Sequence, residues 1–171
     1  FNFLKKQTGK LLDLGCGSGR NFTKQENLDV YGIDFSKKMI KFAKEKSVAK
    51  ELKVISKQEI PYEDNFFDSG ICIAVLHCIK GEKNRQKMIQ EFFRVLKPRA
   101  RAYISVWSGN QSRLKNKKKE SLIPWTIGEE KHERYTYIYD KEELENEIKN
   151  AGFDIFESNE DKNIDVIVQK P

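Results

Sequence analysis

Asp13, Gly15, Gly17 and Gly19 stand at alternate positions in the stretch Lys10-Leu11-Leu12-Asp13-Leu14-Gly15-Cys16-Gly17-Ser18-Gly19-Arg20. Glycine reaches positive φ and, lacking Cβ, lets a ligand approach the backbone, so this alternation reads as a loop that cradles a nucleotide-like cofactor. The dinucleotide fingerprint G-x-G-x-x-G/A needs a third small residue so that helix packs on strand. Counted from Gly15, that place holds Arg20, which argues against a nicotinamide or flavin dinucleotide. A second acid, Asp34, follows at the distance from which a carboxylate accepts hydrogen bonds from ribose hydroxyls in either cofactor class. His77 is the third chemical candidate: a lone imidazole at the end of an apolar run.

These residues need a sheet to position them. Leu11 to Leu14 is a short apolar run entering the glycine turn, the signature of a buried parallel strand. A helix over Asn21 to Asn27 is expected next, its N-terminal amides aimed at the ligand. A second strand, Val30 to Asp34, leads into a helix from Lys37 to Lys46, for which Ser36 is a better cap than Asp34. The third strand is Leu52 to Ile55. The fourth, Asp68 to Val75, is mostly apolar and therefore central. It runs into Leu76-His77-Cys78-Ile79, and ligands of open α/β sheets collect at such carboxyl ends, which places His77 at the site. An amphipathic helix over Glu82 to Leu96 buries Met88, Ile89, Phe92, Phe93, Val95 and Leu96. A distorted reverse turn through Lys97-Pro98-Arg99-Ala100-Arg101 precedes the fifth strand, Ala102 to Trp107. After a less regular stretch, a helix over Lys141 to Ala151 stops at Gly152. Phe153 to Glu157 and Asp165 to Lys170 read as the last strands.

A chain of 171 residues has the length of one domain and can bury a real core. Its 38% hydrophobic and 34% charged residues fit a globular protein, and no apolar run approaches membrane-span length. Cys16, Cys72 and Cys78 are odd in number, which suggests reduced thiols in the cytoplasm, and with the two histidines they match no metal pattern. The net charge is +6, with Arg113, Lys115, Lys117, Lys118 and Lys119 in one basic run. Such a run is either a solvated loop or a nucleic-acid contact.

The pattern D-x-G-x-G-x-G resembles the first motif of the class I S-adenosylmethionine-dependent methyltransferases. That resemblance implies an α/β, Rossmann-like fold: a mostly parallel seven-stranded sheet with an antiparallel last strand and helices on both faces. The stretch Gln58-Glu59-Ile60-Pro61-Tyr62-Glu63-Asp64-Asn65-Phe66-Phe67-Asp68 is similar to the family's "D-A-x-x-L-P-F-x-D-N-S-F-D", whose first Asp binds the adenine amino group. Here Ser56 takes that place, so adenine recognition falls to its hydroxyl, to backbone near Lys57, or to Gln58. The resemblance assigns cofactor contacts to Asp13, Gly15, Cys16, Gly17, Gly19, Asp34, Phe35, Ser56, Lys57, Gln58, Ala74 and Val75.

Four later segments narrow the family: Ile73-Ala74-Val75-Leu76-His77, Ile104-Ser105-Val106-Trp107, Leu122-Ile123-Pro124-Trp125 and Arg134-Tyr135-Thr136-Tyr137-Ile138-Tyr139. They look like "I-A-V-I-H-H", "I-Y-V-W", "V-L-V-P-W" and "R-Y-Y-H-L-Y" of the tRNA wobble-uridine carboxyl-methyltransferases, which convert 5-carboxymethyluridine to its methyl ester. Cys78 replaces that family's second His, and Thr136 interrupts the Tyr-rich segment. The resemblance implies one methyltransferase domain over 1–171, with 108–139 as a substrate-side insertion. The chain begins at Phe1, and an N-terminal segment with the family's first helix is expected to be missing. Implied partners are tRNA and a small zinc-binding activator subunit.

The acceptor chemistry agrees with this choice. Methylating carbon 5 of a pyrimidine needs a cysteine nucleophile, commonly in a Pro-Cys setting, and none of the three cysteines has one. Exocyclic nitrogens call for an Asn/Asp-Pro-Pro-Tyr loop where this chain has Ala74-Val75-Leu76-His77. A carboxylate, with a pKa near 4, is already ionised at neutral pH and needs only alignment. His77, Arg134 and Tyr135 are the candidates for orienting it, with Trp107 and Trp125 as stacking walls or as core. A small-molecule methyltransferase of the same fold, or a non-catalytic binding protein, remains open from sequence.

Overall fold

The computed structural model describes residues 2–45, 48–56, 58–127 and 130–171, without the side chains of 125–131. The elements run α1 (Asn2–Lys5), β1 (Gly9–Leu14), β2 (Leu28–Asp34), α2 (Lys37–Glu45), β3 (Glu51–Val54) and β4 (Phe67–Ile73). They continue with α3 (Glu82–Val95), β5 (Leu96–Trp107), β6 (Glu120–Ile127), β7 (Glu130–Tyr137), α4 (Lys141–Asn150), β8 (Asp154–Glu160) and β9 (Asn163–Gln169). Seven strands form one sheet in the order β3-β2-β1-β4-β5-β9-β8. β1 to β5 pair in parallel, and β9 is antiparallel to both its neighbours. This is the expected Rossmann-like sheet, with the antiparallel strand last in the chain and second from the edge.

Alternation along β1 explains the two-sided core. Leu12 and Leu14 face the layer of α3 and α4, where they join Met88, Ile89, Phe92, Leu144 and Ile148. Leu11 faces the other way and packs with Ile71 and with Phe3 and Leu4 of α1. Each such side chain contributes about 1.5–3 kcal/mol by leaving water. Asp13 shares the face of Leu11 and is equally buried. Ser36 caps α2, its Oγ accepting the Met39 amide at 3.2 Å, as its position suggests. No helix of the described residues is long and apolar enough to cross a membrane.

Three expectations are corrected. The segment 21–27 is turn and irregular chain rather than helix. Eight residues, 20–27, must run back along the β1–β2 pair, whose six registered positions span about 20 Å; as a helix they would reach only about 12 Å. The reverse turn at 97–101 lies inside β5, as a bulge. Phe67 pairs with Leu96 and Ser69 already with Arg101, the surplus residues being absorbed where Arg99 takes φ 66°. The stretch expected to be less regular contains an antiparallel hairpin, β6–β7, which forms its own two-stranded sheet. A Ser108–Tyr139 bridge and the cluster of Trp107, Leu114, Ile123 and Ile138 fasten it to the end of β5.

Candidate active site

At the carboxyl end of β1, the amides of Gly15 and Cys16 both donate to the Ile33 carbonyl, at 2.8 and 3.0 Å, which ties the loop to β2. Gly15 has φ 71°, and a Cβ there would lie 2.2 Å from Val75 Cγ2. Val75, two residues past β4, is therefore seated on the loop, and only glycine fits beneath it. Gly17 has φ 55° with open space where a Cβ would be. Its amide donates to Asp34 Oδ2 at 2.8 Å, while the Ser36 amide donates to Oδ1 at 2.8 Å. Each oxygen of Asp34 keeps a lone pair for a further donor.

Asp13 is 1% exposed, and neither carboxylate oxygen has a hydrogen-bond partner of normal geometry. Burial raises its pKa to about 7; the Asn21 side chain offsets part of this and the Asp34 charge adds to it. A carboxyl held in that way favours any cation brought above it. Cys16 is buried, and burial together with Asp13 pushes its thiol up, so it is not a thiolate nucleophile. Phe35 is exposed at the end of β2. Ser56 is exposed and Gln58 half-buried, with Ser56 on a cleft of about 380 Å³ that also takes in Ile55, Ile60 and Pro61. Lys57 lies outside the described residues.

Beyond β4, Ala74 adopts φ 59° and the chain turns through a short 3-10 helix, Leu76–Cys78. Because β4 lies beside β5, with Ile73 opposite Ser105, this turn brings His77 against Trp107. The rings stack at 4.6 Å, and the Trp107 amide donates to His77 Nδ1 at 3.3 Å. That bond assigns the proton of the neutral ring to Nε2. Nε2 is buried and has no partner among the described residues. Burial, then the charges of Arg134 and Arg113, lower the His77 pKa to about 3. His77 is therefore a neutral hydrogen-bond donor rather than an acid or a base at physiological pH.

Arg134, on β7, has its guanidinium carbon 4.6 Å from the centre of the Trp107 ring, and burial lowers its pKa. The fold thus gathers His77, Trp107 and Arg134 around one indole. Tyr135, the next residue of β7, projects to the opposite face and packs on the main core, where burial and Glu120 raise its pKa. Trp125 stands opposite His132 in the hairpin register, and its side chain lies outside the described residues.

Two groups escape sequence reading. Arg113 stacks on Trp107 at 3.8 Å, although it sits in what reads as a basic loop. The signal for it is Leu114, an apolar residue within the run, which is buried and anchors it. Arg85 of α3 is 2% exposed, stacked on Tyr137 at 3.6 Å and 3.7 Å from Glu147, which accepts from the Tyr139 hydroxyl at 2.7 Å. This buried cluster joins the residues just past the hairpin to α3 and α4. The basic run itself divides: Lys119 pairs with Asp140 and Glu143 at 2.6 and 2.7 Å, while Lys115, Lys117 and Lys118 are exposed.

Known proteins resemble this chain in both sequence and shape. A tRNA (carboxymethyluridine(34)-5-O)-methyltransferase of Arabidopsis thaliana is 37% identical over 101 residues, which is 59% of this chain and 24% of that protein. An uncharacterized protein of Methanocaldococcus jannaschii is 32% identical over 85% of this chain and 61% of its own length. The chain thus spans about a quarter of the first relative's length. A SAM-dependent methyltransferase of Methanosarcina mazei superposes with a TM-score of 0.80 at 23% identity, covering 99% of this chain and 96% of the other. A chain solved in complex with the Trm112 methyltransferase activator of Haloferax volcanii superposes at 0.73 with 15% identity, over 96% and 84%.

S-adenosylmethionine carries a sulfonium and an ammonium charge, and the buried Asp13 carboxyl at the start of a glycine loop with open space at Gly17 fits such a cation. The family model described as "methyltransferase domain" matches residues 12–104, from the first strand through the fifth. This chain belongs to that family of methyltransferase domains, and its cofactor is S-adenosylmethionine.

Proposed function

We propose that the chain methylates the carboxylate of 5-carboxymethyluridine at the wobble position of tRNA, in the cytoplasm. The observation that carries this reading is the grouping of a neutral imidazole donor, an indole and a guanidinium at the carboxyl ends of β4 and β5. That set can hold an anion and stack a base, and it contains no general base. A carboxylate acceptor needs none, since it is ionised at neutral pH. The relatives named tRNA (carboxymethyluridine(34)-5-O)-methyltransferase support the same acceptor.

When bound, S-adenosylmethionine supplies an electrophilic methyl group. Asp13 and the glycine loop would hold its charged amino-acid end, and Asp34 would take the ribose hydroxyls. His77 donates from Nε2 to one carboxylate oxygen of the acceptor and leaves the other to attack. Arg134 supplies positive charge to the same group, and Trp107 forms the wall against which the base is set. Positioning is the main catalytic device. Lys115, Lys117 and Lys118 contact phosphates of the tRNA. A small activator subunit, as in the Haloferax volcanii complex, is the proposed protein partner.

The test is methyl transfer from labelled S-adenosylmethionine to tRNA carrying 5-carboxymethyluridine, with and without a co-purified activator. Base-labile label on the wobble nucleotide is expected. Alkali-stable label, or label elsewhere in the tRNA, overturns the reading.

A further inference from the structure

Trp107 carries three stacked partners on an indole with two faces. His77 is centred 4.6 Å from it, Arg113 3.8 Å and Arg134 4.6 Å. Arg113 and Arg134 come from different elements, the loop after β5 and strand β7, and each places its guanidinium over the same ring. Two like charges so close repel one another, and the Arg113 charge adds to burial in lowering the Arg134 pKa. Arg113 is held there: its Nε donates to Gln111 Oε1 at 2.8 Å, and the buried Leu114 anchors the loop beside it. Among the described residues Arg113 forms no ion pair. The buried Nε2–H of His77, without an acceptor, stands at the same indole.

We infer that Arg113 is a specificity-determining residue, forming with Arg134 a two-guanidinium clamp that selects an acceptor bearing a carboxylate over its neutral ester. This rests on the proposed carboxylate acceptor and extends it to a residue of the basic loop. A planar guanidinium stacks on an aromatic face and still presents paired donors along its edge, which lysine cannot do. Loss of the acceptor's charge on methylation removes the attraction, so the clamp that admits the substrate also lets the product go.

The experiment is calorimetric titration of the full chain, saturated with S-adenosylhomocysteine, using 5-carboxymethyluridine and its methyl ester as probes. The wild-type chain binds the acid at least about tenfold more tightly than the ester, the scale of one charge-assisted contact. In Arg113→Gln the acid-to-ester ratio falls to within about threefold, and Arg113→Lys recovers only part of it. Affinity for S-adenosylhomocysteine stays unchanged in both variants, which shows that each is folded. A wild-type chain that does not prefer the acid, or an Arg113→Gln variant that keeps the full ratio, overturns the clamp. Acid preference lost in Arg113→Gln, together with no methylation of the modified tRNA, leaves the clamp standing and removes the tRNA function. Methylation of the tRNA carboxylate with an unchanged ratio in Arg113→Gln does the reverse.

Discussion

The Trp107 amide donates to Nδ1 of His77 at 3.3 Å while the two rings stack at 4.6 Å, so one residue sets both the tautomer and the plane of the other. The imidazole is left with a single available function, the Nε2–H, aimed by a strand end rather than by a mobile loop.

Replacing His77 with Phe keeps the stack and removes that donor. Methyl transfer is expected to fall about 10²-fold, and stability by about 1–3 kcal/mol, because the buried Trp107 amide loses its acceptor. Burial holds the folded pKa near 3, below the ordinary 6.5, so the folded chain binds fewer protons than the unfolded chain between these values. His77 thus lowers stability as pH falls from 6.5 toward 3 and has no such effect above. Urea midpoints of wild type should drop faster than those of His77→Phe between pH 6.5 and 4. A rate profile with a limb near pH 6.5 that vanishes in the variant would contradict the assignment.

Asp13 titrates with the opposite sign. Its folded pKa is raised to about 7, so between pH 3.8 and 7 the folded chain keeps a proton that the unfolded chain has released. The stability tied to this proton is complete below pH 3.8 and is lost as pH rises through 7. Asp13→Asn should therefore exceed wild type in thermal midpoint at pH 8, with the gap closing toward pH 4. A cationic cofactor reverses the balance: S-adenosylmethionine should bind wild type more tightly at pH 8 than at pH 6, with proton release. Asp13→Asn should bind about tenfold more weakly at pH 8 and show no pH trend. A flat wild-type profile would remove Asp13 from the cofactor site.

Arg85 and Glu147 are a buried pair, with side chains 3% and 8% exposed. Arg85→Met leaves the Glu147 carboxylate buried without its cation and should cost about 3–5 kcal/mol in urea unfolding. Arg85→Met with Glu147→Leu should recover most of that loss, a double-mutant cycle that simple cavity formation would not produce.

The exposed lysines of the basic run serve a different purpose from its pinned ends. Changing Lys115, Lys117 and Lys118 to Gln should weaken tRNA binding and flatten its salt dependence by roughly one log unit per log unit of salt for each lysine in contact with phosphate. Filter binding across a salt series measures this. An unchanged slope would place the RNA on another face.

Where the sequence was legible, burial made it so. β1, β2, β4 and β5 lie in the sheet interior, and their Leu, Ile and Val runs announce them. The helix expected at 21–27 failed on reach: no local propensity reports how far a connection must travel. The β6–β7 hairpin was missed because its strands, Glu120–Ile127 and Glu130–Tyr137, carry Pro124 and a string of charges. Two-stranded and half-solvated, it lacks the apolar signature of a buried strand. At the site, His77 and Arg134 could be singled out from motifs. Arg113 could not, since only the folding of the loop after β5 reveals that its guanidinium, although exposed, lies over the Trp107 ring.

The place of β9 bears on how the protein is made. β9 inserts between β5 and β8, and it pairs Asn163 with Trp107 and Asp165 with Ser105. During synthesis, β5 therefore remains an open edge on the side that takes β9 until residues more than fifty positions later have emerged. The interval is one in which chaperones or neighbouring chains compete for the strand. Trp107 also carries the stacked His77, Arg113 and Arg134, so until β9 pairs with β5 the indole on which they rest lacks part of its support. The strand that fills the open side of β5 thus also steadies the strand end that carries the Trp107 indole.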